Sequence, residues 1–144
     1  MDGMRNTEPV AVARTLILEQ IDSGGNAAPM EVEFRYDPQD PYAVTLSFVT
    51  AEPSVCWTFG RDLLMEGMYE PAGDGDVHVF PSVEGSGTAV VLMELVGPEG
   101  EALVKARTRD VEPFVDVMCR LVPPSTESEH LRVDEAIEAI LNGA

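Results

Sequence analysis

Two Asp-Pro pairs in close succession, Asp37-Pro38 and Asp40-Pro41, separate two runs of alternating polarity, and no other feature of the chain limits its fold so tightly. Before them, Met30, Val32, Phe34 and Tyr36 alternate with Glu31, Glu33 and Arg35. After them, Val44, Leu46 and Phe48 share one side of a second run. A two-residue period places each apolar set on one face of a strand. Proline biases the residue before it away from the helical region, and an aspartate side chain can close a turn on its own backbone. The spacing therefore predicts strands over residues 30–36 and 43–50 joined by a polar turn, with Phe34 and Tyr36 in the core.

The remaining punctuation extends this pattern. Residues 10–19 read as a first strand and 54–59 as a fourth, with Trp57 packed inward, and the two glycines between Asp22 and Asn26 mark a turn. Residues 61–69 read as a short helix with Leu63, Leu64 and Met68 on one side, ended by Pro71. A short strand over 77–80 follows the turn Gly73-Asp74-Gly75-Asp76. Residues 88–96 and 101–108 flank Gly97-Pro98-Glu99-Gly100 as a hairpin. Its loop sets Val96 opposite Glu101, Glu94 opposite Leu103, Leu92 opposite Lys105 and Val90 opposite Arg107. From Asp110 the apolar positions Val111, Phe114, Val115, Met118, Leu121 and Val122 recur at helical spacing, with Asp110 as cap and Pro113 in the first turn. Pro123-Pro124 ends that helix, residues 125–131 form a linker, and a last helix spans 134–141. The layout is α+β: about seven mostly antiparallel strands, one short inserted helix and two C-terminal helices. Residues 1–144 fit one domain with a flexible start over 1–8.

Charge narrows the function. The chain carries 26 acidic and 9 basic residues, a formal charge of −17. A protein that neutralises phosphates needs a basic surface, so nucleic acid is disfavoured as a partner. The start has no apolar leader run, and the longest apolar run, residues 89–93, is far too short to cross a membrane, which predicts a cytoplasmic protein without membrane insertion. Cys56 and Cys119 lack metal-ligand spacing and read as small buried hydrophobes.

Chemistry is thin. No nucleophile elbow, zinc-binding His-Glu-x-x-His or phosphate loop is present, and the two histidines, His78 and His130, have no partners at catalytic spacing. No catalytic, cofactor-binding or metal residues are assigned, no cofactor is expected, and the reading is that of a non-enzyme. The turn Gly73-Asp74-Gly75-Asp76 lacks the downstream glutamate of a calcium loop. One patch stands out. Lys105, Arg107 and Arg109 alternate with Val104, Ala106 and Thr108, so on a strand they would form a positive stripe holding a third of the cations. The stripe is either a solvated face balanced by carboxylates of other strands or a partner site. Arg61 and Asp62 pose the same choice between a local ion pair at a helix start and a contact surface.

The Phe34–Val44 segment resembles the SsgA-like proteins, a family of cell-division regulators of sporulating actinomycetes. The resemblance continues through Val55, Trp57 and Phe59, then Arg61-Asp62-Leu63-Leu64-Met65-Glu66-Gly67, Pro71, Gly73, Gly75-Asp76-Val77, Pro81, Pro98-Glu99-Gly100-Glu101-Ala102, Val122-Pro123-Pro124 and the acidic-apolar stretch from Asp134. It covers roughly residues 10–141. It implies a curved sheet similar to the whirly and mitochondrial guide-RNA-binding folds and assembly as a homotrimer. It also implies control of septum placement in sporulation-specific division, through recruitment of the tubulin-like protein FtsZ or contact with another SsgA-like protein at the septum. The shared fold supplies an alternative, a single-stranded nucleic-acid-binding module, against which the acidic charge speaks.

Overall fold

A computed structural model describes residues 11–49, 55–98 and 100–131. Eight antiparallel strands form one sheet: β1 Val12–Ile21, β2 Ala27–Tyr36, β3 Ala43–Phe48, β4 Val55–Gly60, β5 Ala72–Asp74, β6 Val77–Val83, β7 Ala89–Gly97 and β8 Gly100–Arg107. Helix α1 (Arg61–Gly67) links β4 to β5, and α2 (Thr108–Leu121) follows β8. The strand order β4-β3-β2-β1-β8-β7-β6-β5 resolves into two four-stranded meanders. They meet at β1 and β8, where three residue pairs, Glu19–Lys105, Gln20–Val104 and Ile21–Leu103, make the seam.

The alternation chooses the inner face. Val32, Phe34 and Tyr36 of β2, Val44, Leu46 and Phe48 of β3, Val91, Met93 and Leu95 of β7 and Val104 and Ala106 of β8 are all buried in one core. Helix α2 lays Val111, Phe114 and Met118 on that face. It packs against β1, β7 and β8, so it bridges the short seam. The ring of Phe114 meets that of Phe34 edge-on, centroids 5.6 Å apart. Such an arrangement adds to simple burial because the positive edge of one ring faces the negative face of the other.

The sheet curls until β4 nears the far meander. Trp57 stacks edge-on against Phe48, centroids 5.4 Å apart, and a Cβ placed at Gly97 would lie 3.5 Å from its indole nitrogen. The tryptophan is only partly buried, because it fills the gap between β4 and the β7–β8 loop.

Several expectations need correction. Among the described residues the strands number eight: Ala72–Asp74 pairs with Val77–Val79 around a Gly75-Asp76 turn in which Gly75 adopts φ 62°. This three-residue strand has no apolar alternation to reveal it. Helix α2 starts at Thr108, two residues before Asp110, and Arg107 occupies the cap position without a capping side chain. Pro113 is thus the sixth residue of the helix and lies beyond the first turn, tolerated with its ring exposed to solvent. Cys56 is exposed, since it alternates with the inward Trp57, and its sulfur lies 3.1 Å from Ser47 Oγ on the outer face; Cys119 is half-buried. The linker holds a 3-10 turn over Glu127–His130. The expected flexible start at 1–8 and the helix at 134–141 lie outside the described residues. The hairpin register agrees with the expectation at all four pairs, Val96–Glu101 through Val90–Arg107.

Gly67 marks a close approach of α1 to the sheet. A Cβ there would lie 2.3 Å from Val79 Cγ1 and 2.9 Å from the Val79 carbonyl oxygen. Gly67→Ala should therefore lower stability by about 1–3 kcal/mol, as overpacking does in a filled core. Urea denaturation checks this; part of the loss should return with Val79→Ala, and an unchanged midpoint would show that α1 can shift freely.

Candidate functional site

Arg61 is fully buried at the first position of α1. Its Nη2 and Nε donate to Glu127 Oε2 at 2.8 and 3.2 Å, and Nη1 donates to the Tyr36 hydroxyl at 3.4 Å. The guanidinium carbon also lies 5.4 Å from the Tyr36 ring centroid. Tyr36 in turn donates to the Pro41 carbonyl at 2.9 Å, and the Arg61 backbone N–H donates to the Tyr42 carbonyl at 2.7 Å. The Asp-Pro turn is thus held from both ends by one side chain and its backbone. Within it, Asp37 accepts from the Gln39 N–H at 2.9 Å, closing the turn on its own backbone.

Glu127 is brought in by the chain beyond α2. Ser125 takes a left-handed φ of 74°, which residues other than glycine rarely adopt, and Thr126 Oγ1 donates to the Pro123 carbonyl at 2.6 Å. This reversal carries Glu127 back over α1. Its own backbone N–H, and then the Arg61 guanidinium, hold the Glu127 carboxyl below the ordinary carboxylate range. Burial pushes the Tyr36 phenol up to about 12, against the opposing pull of Arg61. Burial likewise pushes the Cys119 thiol up, again with Arg61 opposing.

The three cations of the expected stripe do not share one strand face. Lys105 and Arg107 project from β8 on the side away from α2, but β8 ends at Arg107 and Arg109 belongs to α2. Lys105 is ion-paired with Glu84 and, at 3.1 Å, with Glu19. Its hydrogen bond to Glu84 first, and that to Glu19 second, raise its pKa. Arg107 pairs with Asp110 at 3.3 Å. The positive stripe is therefore met by three carboxylates, and Arg109 alone of the three has no ion pair among the described residues. Asp62 is exposed beside the buried Arg61 and does not pair with it. The sequence brought these residues to attention by chemistry, but it omitted Glu127, Glu19 and Glu84, whose partners are distant in the chain. His78, as expected, lies opposite the buried face of Val77 and Val79, with Nδ1 3.6 Å from Glu94.

Two consequences can be measured. Because Tyr36 has its pKa raised from 10.0 to about 12, its contribution to stability is complete below pH 10 and is lost as pH rises through 12. Alkaline denaturation should show this loss in the wild type and less of it in Tyr36→Phe; identical profiles would refute the assignment. On the outer face, Lys105→Glu should lower the urea midpoint by crowding Glu19 and Glu84, whereas Arg109→Glu should change stability by no more than about 0.5 kcal/mol, as at other exposed sites. A Lys105→Glu variant as stable as the wild type would show that this ion-pair network is not structural.

Comparison with known proteins places this architecture. Residues 30–127 match the family model for the Streptomyces sporulation and cell division protein SsgA. The sporulation-specific cell division protein SsgB of Streptomyces coelicolor is 44% identical over 131 residues, covering 90% of this chain and 95% of that protein. SsgB of Saccharopolyspora erythraea is 37% identical, covering 96% of each. A solved structure from work on SsgB mutations that correlate to longitudinal cell division during sporulation of Streptomyces coelicolor superposes with a TM-score of 0.77 at 44% identity, covering 85% of this chain and 96% of that one. The SsgA-like sporulation-specific cell division protein of Thermobifida fusca superposes with a TM-score of 0.81 at 28% identity, covering 92% and 97%. With a family match over 30–127 that runs from β2 through β8 and takes in α1, α2 and the Arg61–Glu127 pair, this chain belongs to the SsgA family of sporulation and cell division proteins.

Proposed function

We propose that this protein is a non-enzymatic adaptor of sporulation-specific cell division that helps set the septum site through protein–protein contacts. The observation that carries the reading is the kinship with SsgB along nearly the whole of both chains. In this reading the protein is cytoplasmic, forms a homotrimer and is recruited to the septum. There it contacts FtsZ directly or through another SsgA-like protein. The fold likeness to whirly and guide-RNA-binding proteins belongs to the same proposal and brings no nucleic-acid function with it, since phosphate binding needs a basic surface and this chain has 26 acidic residues against 9 basic.

The paired cations inform where contact is made. Lys105 and Arg107 already satisfy neighbouring carboxylates, so recruiting them costs existing ion pairs. Arg109 and Asp62, both exposed, carry no such cost. Arg61 acts from inside by fixing the turn next to which Asp62 stands.

Deleting the gene in its host should leave vegetative growth intact while septa of sporulating hyphae are lost or misplaced. Microscopy of membrane-stained aerial hyphae reads this directly, with the wild-type gene restored in trans as control. Regular spore chains in the deletion strain would overturn the reading.

A further inference from the structure

The sheet has a second face. Both helices lie on the core side, where α2 buries Val111, Phe114 and Met118 and α1 buries Leu64 and Gly67. On the outer face, one register row runs Ile21, Leu103, Glu94, His78 across β1, β8, β7 and β6. The neighbouring pair Val96–Glu101 lies on the same side. Beyond the end of β1, Asp22 stands at the turn, its carboxylate accepting from the Gly24 and Asn26 N–H groups at 2.9 Å each. Together these residues line an open groove of about 550 Å³.

Its chemistry is one-sided. Ile21 and Leu103, both half-buried, form an apolar floor, and Val96 is 40% exposed at the hairpin end. Among the described residues that line it, Asp22, Glu94 and Glu101 supply three carboxylates, His78, with Nδ1 3.6 Å from Glu94, is the one other titratable side chain, and there is no Lys or Arg. The next row along the sheet differs: there Lys105 is present and ion-pairs with both Glu19 and Glu84, offsetting one of their two charges. The groove thus combines an apolar floor with three carboxylates that no Lys or Arg among its described lining residues offsets.

We propose that this groove docks an extended segment of a partner protein in which Lys or Arg residues flank an apolar side chain. The apolar residue would lie over Ile21 and Leu103, and its flanking cations would reach Glu94 on one side and Asp22 and Glu101 on the other. Complementary charge fixes register and speeds encounter, while the apolar contact supplies most of the affinity. A second copy of this chain is a poor occupant of this groove, since its strand β8 carries two cations, Lys105 and Arg107, and both are already paired. Nucleic acid is repelled by the same carboxylates. The proposal rests on the adaptor reading above and adds the chemistry of the segment recognised.

The test uses the full-length protein and three fluorescein-labelled synthetic peptides, Lys-Leu-Lys-Val-Lys, Lys-Ser-Lys-Ser-Lys and Glu-Leu-Glu-Val-Glu, followed by anisotropy near physiological salt. The first should bind, the second should bind about tenfold or more weakly, and the third should not bind. Glu94→Gln/Glu101→Gln, folded by circular dichroism, should weaken the first peptide by about tenfold as well, and Ile21→Ala should weaken it without changing the salt dependence. Amide shifts in NMR spectra should map to Ile21, Glu94 and Leu103. Equal binding of the leucine and serine peptides, or unchanged binding by the double variant, would show diffuse attraction to an acidic body and overturn the proposal. So would an oligomer in sedimentation whose interface protects this groove. The cell separates the two readings: a deletion that abolishes septation beside a normally septating Glu94→Gln/Glu101→Gln strain sinks the groove and leaves the adaptor, while normal septation in the deletion sinks the adaptor itself.

Discussion

The buried Arg61–Glu127 contact is the constraint on which the rest of the structure depends. A guanidinium taken out of water is costly unless its donors are met, and here Glu127 and Tyr36 meet them. Four pieces of chain converge on it: the end of β2, the Asp-Pro turn, the start of α1 and the 3-10 turn beyond α2. None is held in place by apolar burial alone. Replacing such a pair with apolar groups often leaves stability unchanged, whereas removing one partner strands the other. Its value here lies in fixing which turn lies against which helix, since Glu127 satisfies Arg61 only if the chain reverses at Ser125.

That fixing matters because the two meanders share so little. Three residue pairs join β1 to β8, a short seam for a sheet of eight strands. Helix α2 spans it on the core side, and the Lys105 ion pairs span it on the outer face by linking β8 to Glu19 of β1. The Arg61 network closes the opposite end, tying α1, which crosses from one meander to the other, to the segment that follows α2. The sheet can therefore curl without parting, and the gap left between β4 and the β7–β8 loop is filled by Trp57.

Where one face of a strand is buried, the alternation is visible in the sequence, so the inward faces of β2 and β3 were legible, and the β7–β8 hairpin down to its register. A slip of one residue would have exposed the whole apolar set. Elements fixed by distant partners were not legible. Nothing near Arg61 announces that it is buried, because the carboxylate that makes burial tolerable lies 66 residues away. The stripe Lys105-Arg107-Arg109 assumed that strand pairing continues past Arg107, yet Thr108 turns helical without a capping side chain, so the usual start signal is missing. Strand β5 is held by main-chain pairing of small and polar residues, which leaves no apolar period to read.

Electrostatics then separates recognition from charge count. A formal −17 suggests uniform repulsion of anything acidic, but at cellular salt the field of an exposed charge is screened within about 8 Å. What a partner meets is local. On β8 the outer-face cations are committed: Lys105 holds Glu84 and Glu19, and Arg107 holds Asp110. The row containing Glu94 has neither Lys nor Arg, and its floor, Ile21 and Leu103, is apolar. Moving one row along the sheet takes the face from a row that holds a lysine to one that holds neither Lys nor Arg, without changing the net charge of the protein. A partner is thereby selected by which row its side chains match, and the strand register that buries the core on one side also sets that pattern on the other.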